Sequence, residues 1–531
     1  MKKMFFFAAL AVSASLTAQA EEPETSSAVK TEYLKTLVDE QADATKGTTQ
    51  LYSLEYTADG GLVLLSSYQT ATADETGMRF DNATYPGATA SKWGSREGDM
   101  TLTNMRNSFL AKIDSEGNTL WAKADTTGDY DLANTAIAVT ADGGVIYADK
   151  FRTRKGVYMG FINMYDPTGN LVASNNMSFT NFDSIVVDGK NVKRKEAFSW
   201  TGVALSEDSF LYVAGAQADT LLPVWNDSIA PRQAWNTKGS MSSNCNTVIL
   251  KYKPQYNQFQ DLDYVGAVIN SDELVYDRPT GFHYENGKLY VAGTYSNGTE
   301  TGIFAARYDK DLRREYIQYH PINGALQFQQ TKFVDGKIYV CGGLSKGAIV
   351  VGEDSLTTTG NSNHGLIYVM NMEDGAFVNA ALRSAANNAL NITVAAFPTE
   401  TGVIAYNHET LNGISMALHY DKDLKLVSAD TLATGGGSST ISVVGRSADG
   451  NRTAVGFRAR TTADFHVLGE TFNFASTTNW YSVIASLAEE EEMTGFETVE
   501  QSEKAVKFIH NGQLYIMYNG TKYNVQGSRV H

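Results

Sequence analysis

Phe282-His-Tyr-Glu-Asn-Gly-Lys-Leu-Tyr-Val-Ala-Gly293, followed by Gly302-Ile-Phe-Ala-Ala-Arg-Tyr-Asp309, is the stretch that decides the fold. It reads as two short strands joined by an Asn-Gly turn, then a third strand closed by an acidic turn. Asn-Gly supplies the positive φ that a tight hairpin needs, and β-branched and aromatic residues suit packed strands. The strand–turn–strand half recurs at 53–65, 136–147, 202–213, 331–340, 394–405 and 442–455. The third-strand half recurs at 108–114, 157–163, 247–252, 366–371, 414–421 and 480–487. Six of the seven units continue into a further strand, such as Gly117-Asn-Thr-Leu-Trp-Ala122 or Leu424-Lys-Leu-Val427. Four strands per unit, repeated, imply a β-propeller.

The seventh unit lacks its fourth strand, because the acidic run 489–492 follows Leu487. A matching orphan, Thr31-Glu-Tyr-Leu-Lys-Thr-Leu-Val38, stands near the N-terminus. The expected fold is therefore all-β, a seven-bladed β-propeller over residues 30–487 whose N-terminal strand closes the last blade. Residues 488–503 form an acidic linker. Residues 504–531 form a short C-terminal β-hairpin tail with two Asn-Gly turns.

Residues 1–20 carry the marks of a secretory signal peptide. Lys2 and Lys3 precede an apolar run, and Ala18-Gln-Ala20 offers a small-residue cleavage site. The run is too short to span a bilayer. The expected location is exported: periplasm, cell surface or extracellular space, with no membrane insertion. A net charge of −16 argues against nucleic acid as a partner. Cys245 and Cys341 fall in non-neighbouring units and are expected to be unpaired.

The motifs resemble those of the secreted bacterial seven-bladed propeller repeat family. Its unit runs roughly apolar-Ala-Val-x-x-Asp-Gly-Asn-x-Tyr-Val-x-Gly, then Phe-Val-Ala-Lys-apolar-Asp-x-x-Gly. Phe397-Pro-Thr in unit six and Glu207-Asp-Ser in unit three depart from it. The resemblance implies the fold; propellers of one sequence type serve many ligands. The tail, particularly Lys522-Tyr-Asn-Val-Gln-Gly527, is similar to the C-terminal sorting domains (Por) of the type IX secretion lineage. In such bacteria, Asp-Ser/Thr-apolar triplets like Asp227-Ser-Ile, Asp354-Ser-Leu and Asp430-Thr-Leu resemble O-glycosylation acceptors.

Units one, three, five and seven carry insertions between their second and third strands, at roughly 71–106, 217–244, 344–363 and 459–478. In a propeller these connections emerge on one face, which makes that face the expected binding face. Each insertion is read as a β-hairpin folded over its blade, anchored near Trp93, Trp235, Val351 and Leu468. Tyr85, Trp93, Trp225, Trp235 and His466 are the candidate ligand-binding residues, since rigid aromatics among polar neighbours favour recognition. The same rings would equally serve to pin each hairpin.

Metal and catalytic motifs are missing: no His-Glu-x-x-His, paired Cys-x-x-Cys, EF-hand, nucleophile elbow or phosphate loop occurs. No cofactor or metal is expected, and acidic turns such as 309–311 and 421–423 read as backbone-bonding turns. His283 and His408 join His466 as acid–base candidates for a central funnel. The favoured reading is a non-catalytic propeller binding a glycan or protein ligand. A polysaccharide-active hydrolase or lyase and a purely structural envelope protein are the alternatives. The tail adds a secretion or envelope component as a further partner.

Overall fold

In the computed structural model each of the seven repeats becomes one antiparallel sheet of four strands, ordered from the axis outward as they occur in the chain except in blade seven, whose outer strand comes from the N-terminus. The structure describes residues 29–39, 48–69, 77–86, 106–130, 135–152, 158–179, 185–187, 190–192, 198–217, 221–224, 227–229, 245–255, 261–270, 276–351, 354–358, 363–384, 390–410, 413–435, 440–460, 464–474, 480–489, 506–510, 513–518, 521–524 and 530. No helix occurs among them. The chain divides into two compact units, residues 1–488 and 489–531. The second holds three antiparallel strands, Val506–His510, Gln513–Tyr518 and Thr521–Asn524, one more than a hairpin.

In the first unit the innermost strands are Thr48–Tyr56, Ala136–Val139, Phe198–Leu205, Tyr276–Glu285, Asn323–Val334, Asn391–Pro398 and Thr440–Arg446. Each touches the next, and the seventh touches the first, so they close a ring around an axial channel. Each of the seven blade interfaces holds an apolar cluster. Blades one and two share Val63, Leu65, Tyr147 and Phe161; blades three and four share Tyr212, Ile249, Val291 and Phe304. Stacking buries both sheet faces, which explains the unbroken apolar runs of the second and third strands.

Six inner strands carry a β-bulge at one place: after Leu51, Trp200, Pro279, Phe328, Thr393 and Ile441. A bulge bends a strand and increases its twist, which fits a crowded channel wall. A glycine stands directly at two of these bulges, where a side chain would crowd the next blade: a Cβ on Gly202 would meet Phe282 at 2.6 Å, and one on Gly281 would meet Thr331 at 2.6 Å.

The N-terminal strand Val29–Asp39 lies beside Tyr481–Glu489 as the fourth strand of blade seven. Leu37 is fully buried between blades seven and one. Glu32 pairs with Arg452 at 3.0 Å and accepts from Ser486 at 2.7 Å. Thr49 of blade one donates its hydroxyl to the Leu37 carbonyl at 3.0 Å. The closing strand is thus held by both blades at once.

The face opposite the insertions is built of two repeated turns. Between first and second strands, a Ser or Thr hydroxyl donates to an Asp two residues on: Thr57, Thr140, Ser206 (2.6 Å) and Ser447 (2.6 Å). Between third and fourth strands, Asp114, Asp166, Asp309 and Asp421 each accept from the amides two and four residues ahead. These carboxylates bond their own backbone, as the Asp-x-Asp spacing suggests.

Unit three, whose turn lacks glycine, puts Ser209 at φ 62°, where Gly60, Gly143 and Gly450 stand at 80°, 84° and 76°. Its exposed side chain offers nothing in return for the left-handed backbone. Ser209→Gly is expected to raise stability by about 0.5–1 kcal/mol. Leu37→Ala is expected to lower it by about 2–5 kcal/mol. Chemical denaturation of both variants checks these values; no loss for Leu37→Ala would mean the closing strand is not required.

Candidate ligand-binding face

The insertions form hairpins, but the hairpins dock on a neighbouring blade. Met78–Phe80 pairs with the end of the closing strand, Leu37 opposite Phe80. Leu221–Val224 pairs with the end of blade two's outer strand, and Phe465–Val467 with that of blade six. In each case the odd-numbered blade sends a hairpin back to the preceding outer strand. The outer strand is an unpaired edge, and pairing its last two or three residues reduces that liability. In blade five the hairpin is continuous with the long second strand Lys337–Val351, and Ala348 pairs with Asn323, where blade four has just ended.

Placed in register, the four hairpins share a pattern that the sequence reading missed: Met78-Arg-Phe-Asp-Asn-Ala-Thr-Tyr85, Leu222-Pro-Val-Trp-Asn-Asp-Ser-Ile229, Ile349-Val-Val-Gly-Glu-Asp-Ser-Leu356 and Phe465-His-Val-Leu-Gly-Glu-Thr-Phe472. The described hairpins of units one and three lie at 78–85 and 222–229, while the anchors expected near Trp93 and Trp235 lie outside the described residues. The signal was available in the seventh position, always Ser or Thr, and the eighth, always apolar. Asp81 and Leu468 adopt φ of 53° and 50°, and their amides donate at 2.9 Å to Thr36 and Leu432 carbonyls. Those two positions are equivalent, one with aspartate and one with leucine.

Burial follows the pattern. Met78, Phe80, Phe465 and Val467 are fully buried, while Arg79, Val350 and His466 point outward opposite Thr84, Ser355 and Thr471. The hairpins of blades one, five and seven thus each offer one solvent-facing cross-strand pair on a base held by strand pairing. Ser355 of the Asp354 triplet is exposed; Asp430 is tied to His419 at 2.9 Å with Thr431 exposed beside it.

Of the five candidate residues, two are described. Tyr85 is half-buried, edge-on to Phe109 at 5.2 Å, and burial raises its pKa. His466 is exposed on its hairpin, with Nδ1 3.0 Å from the Thr471 hydroxyl. The two stand on hairpins docked to different blades. Trp93, Trp225 and Trp235 lie outside the described residues. Phe472 and Phe474 stack on one another and, through Phe474, on Tyr481 of blade seven, which is a packing role.

The three acid–base candidates stand in separate surroundings. His283 stacks on Phe333 at 5.7 Å between blades four and five, and burial lowers its pKa. His408 is buried in blade six, where desolvation lowers its pKa to about 4.

Three backbone joints tie insertion-bearing blades to their successors. The amides of Thr49, Asp277 and Asn391 donate to the carbonyls of Trp480, Cys245 and Asn363, at 2.7, 2.9 and 3.1 Å. Polar side chains gather there. Asp277, fully buried, accepts from Asn246 (3.2 Å), the Thr247 amide (3.3 Å) and Asn270 (2.9 Å); desolvation nevertheless raises its pKa. Arg383 pairs with buried Glu409 at 3.1 Å. Both cysteines are buried and free, and burial pushes Cys245 up to about 12.

The channel holds Glu55 of blade one and Lys332 of blade five. Desolvation raises the first carboxyl's pKa and lowers the second group's, and each acts on the other through space. Gln330, also in blade five, accepts from the Val444 amide of blade seven at 3.0 Å, bridging past blade six. On the turn face a cleft of about 460 Å³ opens between blades four and five, lined by Glu285, Arg307, Asp335, Lys337 and Glu373. Arg307 is already engaged by Glu315 at 2.6 Å.

No protein-family model matches the chain, and no curated protein shows a significant sequence match. Similar solved structures include the periplasmic gluconolactonase PpgL of Pseudomonas aeruginosa, with 12% identity and a TM-score of 0.39, covering 86% of this chain and 100% of that one. Puromycin hydrolase gives 10% identity and a TM-score of 0.41, over 90% of this chain and 58% of that longer one. A protein of unknown function from Dyadobacter fermentans gives 8% identity and a TM-score of 0.35, over 87% and 100%. These likenesses are too distant to transfer a site or an activity. The seven-bladed architecture rests on the strand pairing itself.

His408 gives a pH test. Its folded pKa of about 4 lies below the ordinary 6.5, so between those values the unfolded chain takes up a proton that the folded chain does not. Its contribution is complete above pH 6.5 and lost as pH falls toward 4, on the order of 3 kcal/mol in all. Stability measured across that window should depend less on pH in His408→Gln; an unchanged slope would refute the assignment.

Proposed function

We propose that this is an exported, non-catalytic propeller of the secreted bacterial repeat type, binding a glycan or protein ligand through the face that carries the hairpins. The observation that supports this reading is the shared hairpin. Four insertions repeat one sequence pattern as hairpins, and in blades one, five and seven the hairpin buries one side and presents an outward cross-strand pair at the same position. A surface held by strand pairing loses little conformational entropy when a ligand docks, which favours binding. The histidines that acid–base chemistry would need are separated, and each is used in packing or a local hydrogen bond. In this reading the N-terminal signal directs export and the three-stranded tail is a type IX-like sorting element.

The second reading, a polysaccharide hydrolase or lyase, draws on Glu55 and Lys332. Two opposite charges with shifted pKa values in a channel are the kind of pair that active sites use. Purified protein on a glycan array, followed by Trp93→Ala and Trp235→Ala, tests the first reading: binding should fall roughly tenfold or more, by the usual loss at an aromatic hot spot. Turnover of a polysaccharide panel, abolished by Glu55→Gln, would replace it with the second.

A further inference from the structure

Solvent reaches the middle of an inner strand from one side only. The second strand of its blade covers its outer edge and the adjacent blades cover both faces, so any surface left open there lines the axial channel. The bulges govern what that surface carries. Each leaves a residue with no partner across the ladder, and in four blades that residue is polar and half-buried: Thr201, Thr280, Gln329 with Gln330, and Ser442. In blades one and six it is Tyr52 and Val394, which pack into the apolar clusters beside them. Bulges re-aim side chains, and these put hydroxyl- and amide-bearing residues on the channel wall. Thr201 donates to the Pro279 carbonyl at 3.2 Å, Thr280 shares a hydrogen bond with Thr331 at 2.8 Å, and Gln330 is held by the Val444 amide. Gln329 and Ser442 have no hydrogen-bond partner among the described residues.

Further along the same strands, toward the turn face, stand Glu55 and Lys332. Both keep some accessible surface, yet desolvation is the largest cause of each pKa shift, as for groups that meet water only inside a narrow channel. Each acts on the other through space, but no ion pair or hydrogen bond joins them. Ser53 donates to Glu55 at a long 3.4 Å, and the Lys332 ammonium stands 5.6 Å over the Phe397 ring. An acceptor and a donor thus share one channel without touching. A charged ligand between them would add its own desolvation cost, several kcal/mol per ion, where charge is already disfavoured. A neutral polyol donates and accepts at every hydroxyl for far less. The channel mouth nearest the bulges opens on the hairpin-bearing face, since blade seven's hairpin pairs with 433–435 just before its inner strand starts at Thr440. An axial opening admits the end of a chain rather than its side.

We infer that Gln329, Ser442, Glu55 and Lys332 form a subsite in the axial channel for one neutral sugar residue, the terminal unit of a glycan entering from the hairpin-bearing face. This rests on the glycan branch of the reading above and names the part of the ligand that is recognised. Gln329 and Ser442 supply an amide and a hydroxyl that the protein does not use. Glu55 accepts from sugar hydroxyls and Lys332 donates to them.

Saturation-transfer NMR of the full chain with glucose, galactose, mannose, N-acetylglucosamine and glycine tests this. The expected result is transfer to at least one of the four sugars and none to glycine. Affinity should weaken roughly tenfold in Glu55→Gln and in Gln329→Leu, as for one hydrogen bond lost from a buried polar group. Ser442→Ala removes a single hydroxyl and should weaken binding in the same direction, which keeps the test decisive if a larger substitution fails to fold. Glu400→Gln takes a carboxylate from the exposed turn face and should change nothing. Equal weakening in Glu400→Gln would reduce the effect to net charge and overturn the subsite. Transfer to glycine would overturn the neutral ligand class. Sugar transfer untouched by the channel variants, or a positive glycan array with no monosaccharide transfer, would overturn the subsite while leaving glycan binding intact. No transfer together with a blank array would overturn glycan binding itself.

Discussion

Everything in the first unit depends on one constraint: a ring of sheets must be closed, and its outermost strands must not be left as bare edges. Closure is supplied by a strand taken from the opposite end of the sequence. Thr49 makes the closure specific, because its amide meets the Trp480 carbonyl while its hydroxyl meets the Leu37 carbonyl and Ser482. One threonine therefore gauges both the third and fourth strands of blade seven from blade one. The edges are handled by the hairpins, which reach back and pair with the last residues of a preceding outer strand.

The scaffold was legible because local and global signals agree. Asp-Gly and Asn-Gly turns, apolar strands and acidic turns recur at intervals that admit few architectures, and the missing fourth strand pointed to its replacement. Even the departure at Glu207-Asp-Ser is absorbed, since Ser209 adopts the same left-handed conformation as the glycines. The hairpins were legible only in part. Their shared pattern is eight residues long with two fixed positions, Ser or Thr then an apolar residue, too little to anchor without the register. The docking partner was not legible at all, because nothing in a hairpin's sequence says which edge it will meet.

The candidate site was harder still. Tyr85 is a recognisable aromatic whose environment, the edge of Phe109, makes it part of the packing. The buried charges tell a similar story: Asp277 and Glu409 sit in apolar-looking strands and become intelligible once Asn246, Asn270 and Arg383 are seen around them.

The hairpin of blade one pairs with the closing strand, and that strand pairs with blade seven. The strand Val29–Asp39 therefore cannot reach its final pairing until the chain has been made through Glu489. Before that moment the N-terminal strand and its hairpin form a ready edge, and blade seven waits with a matching vacancy. Nothing in the chemistry distinguishes the vacancy of the same chain from that of another. Concentration thus enters the folding of a ring closed by its own N-terminus: when chains are dilute, each closes on itself, and when they crowd before closure, one chain's first strand completes its neighbour's last blade.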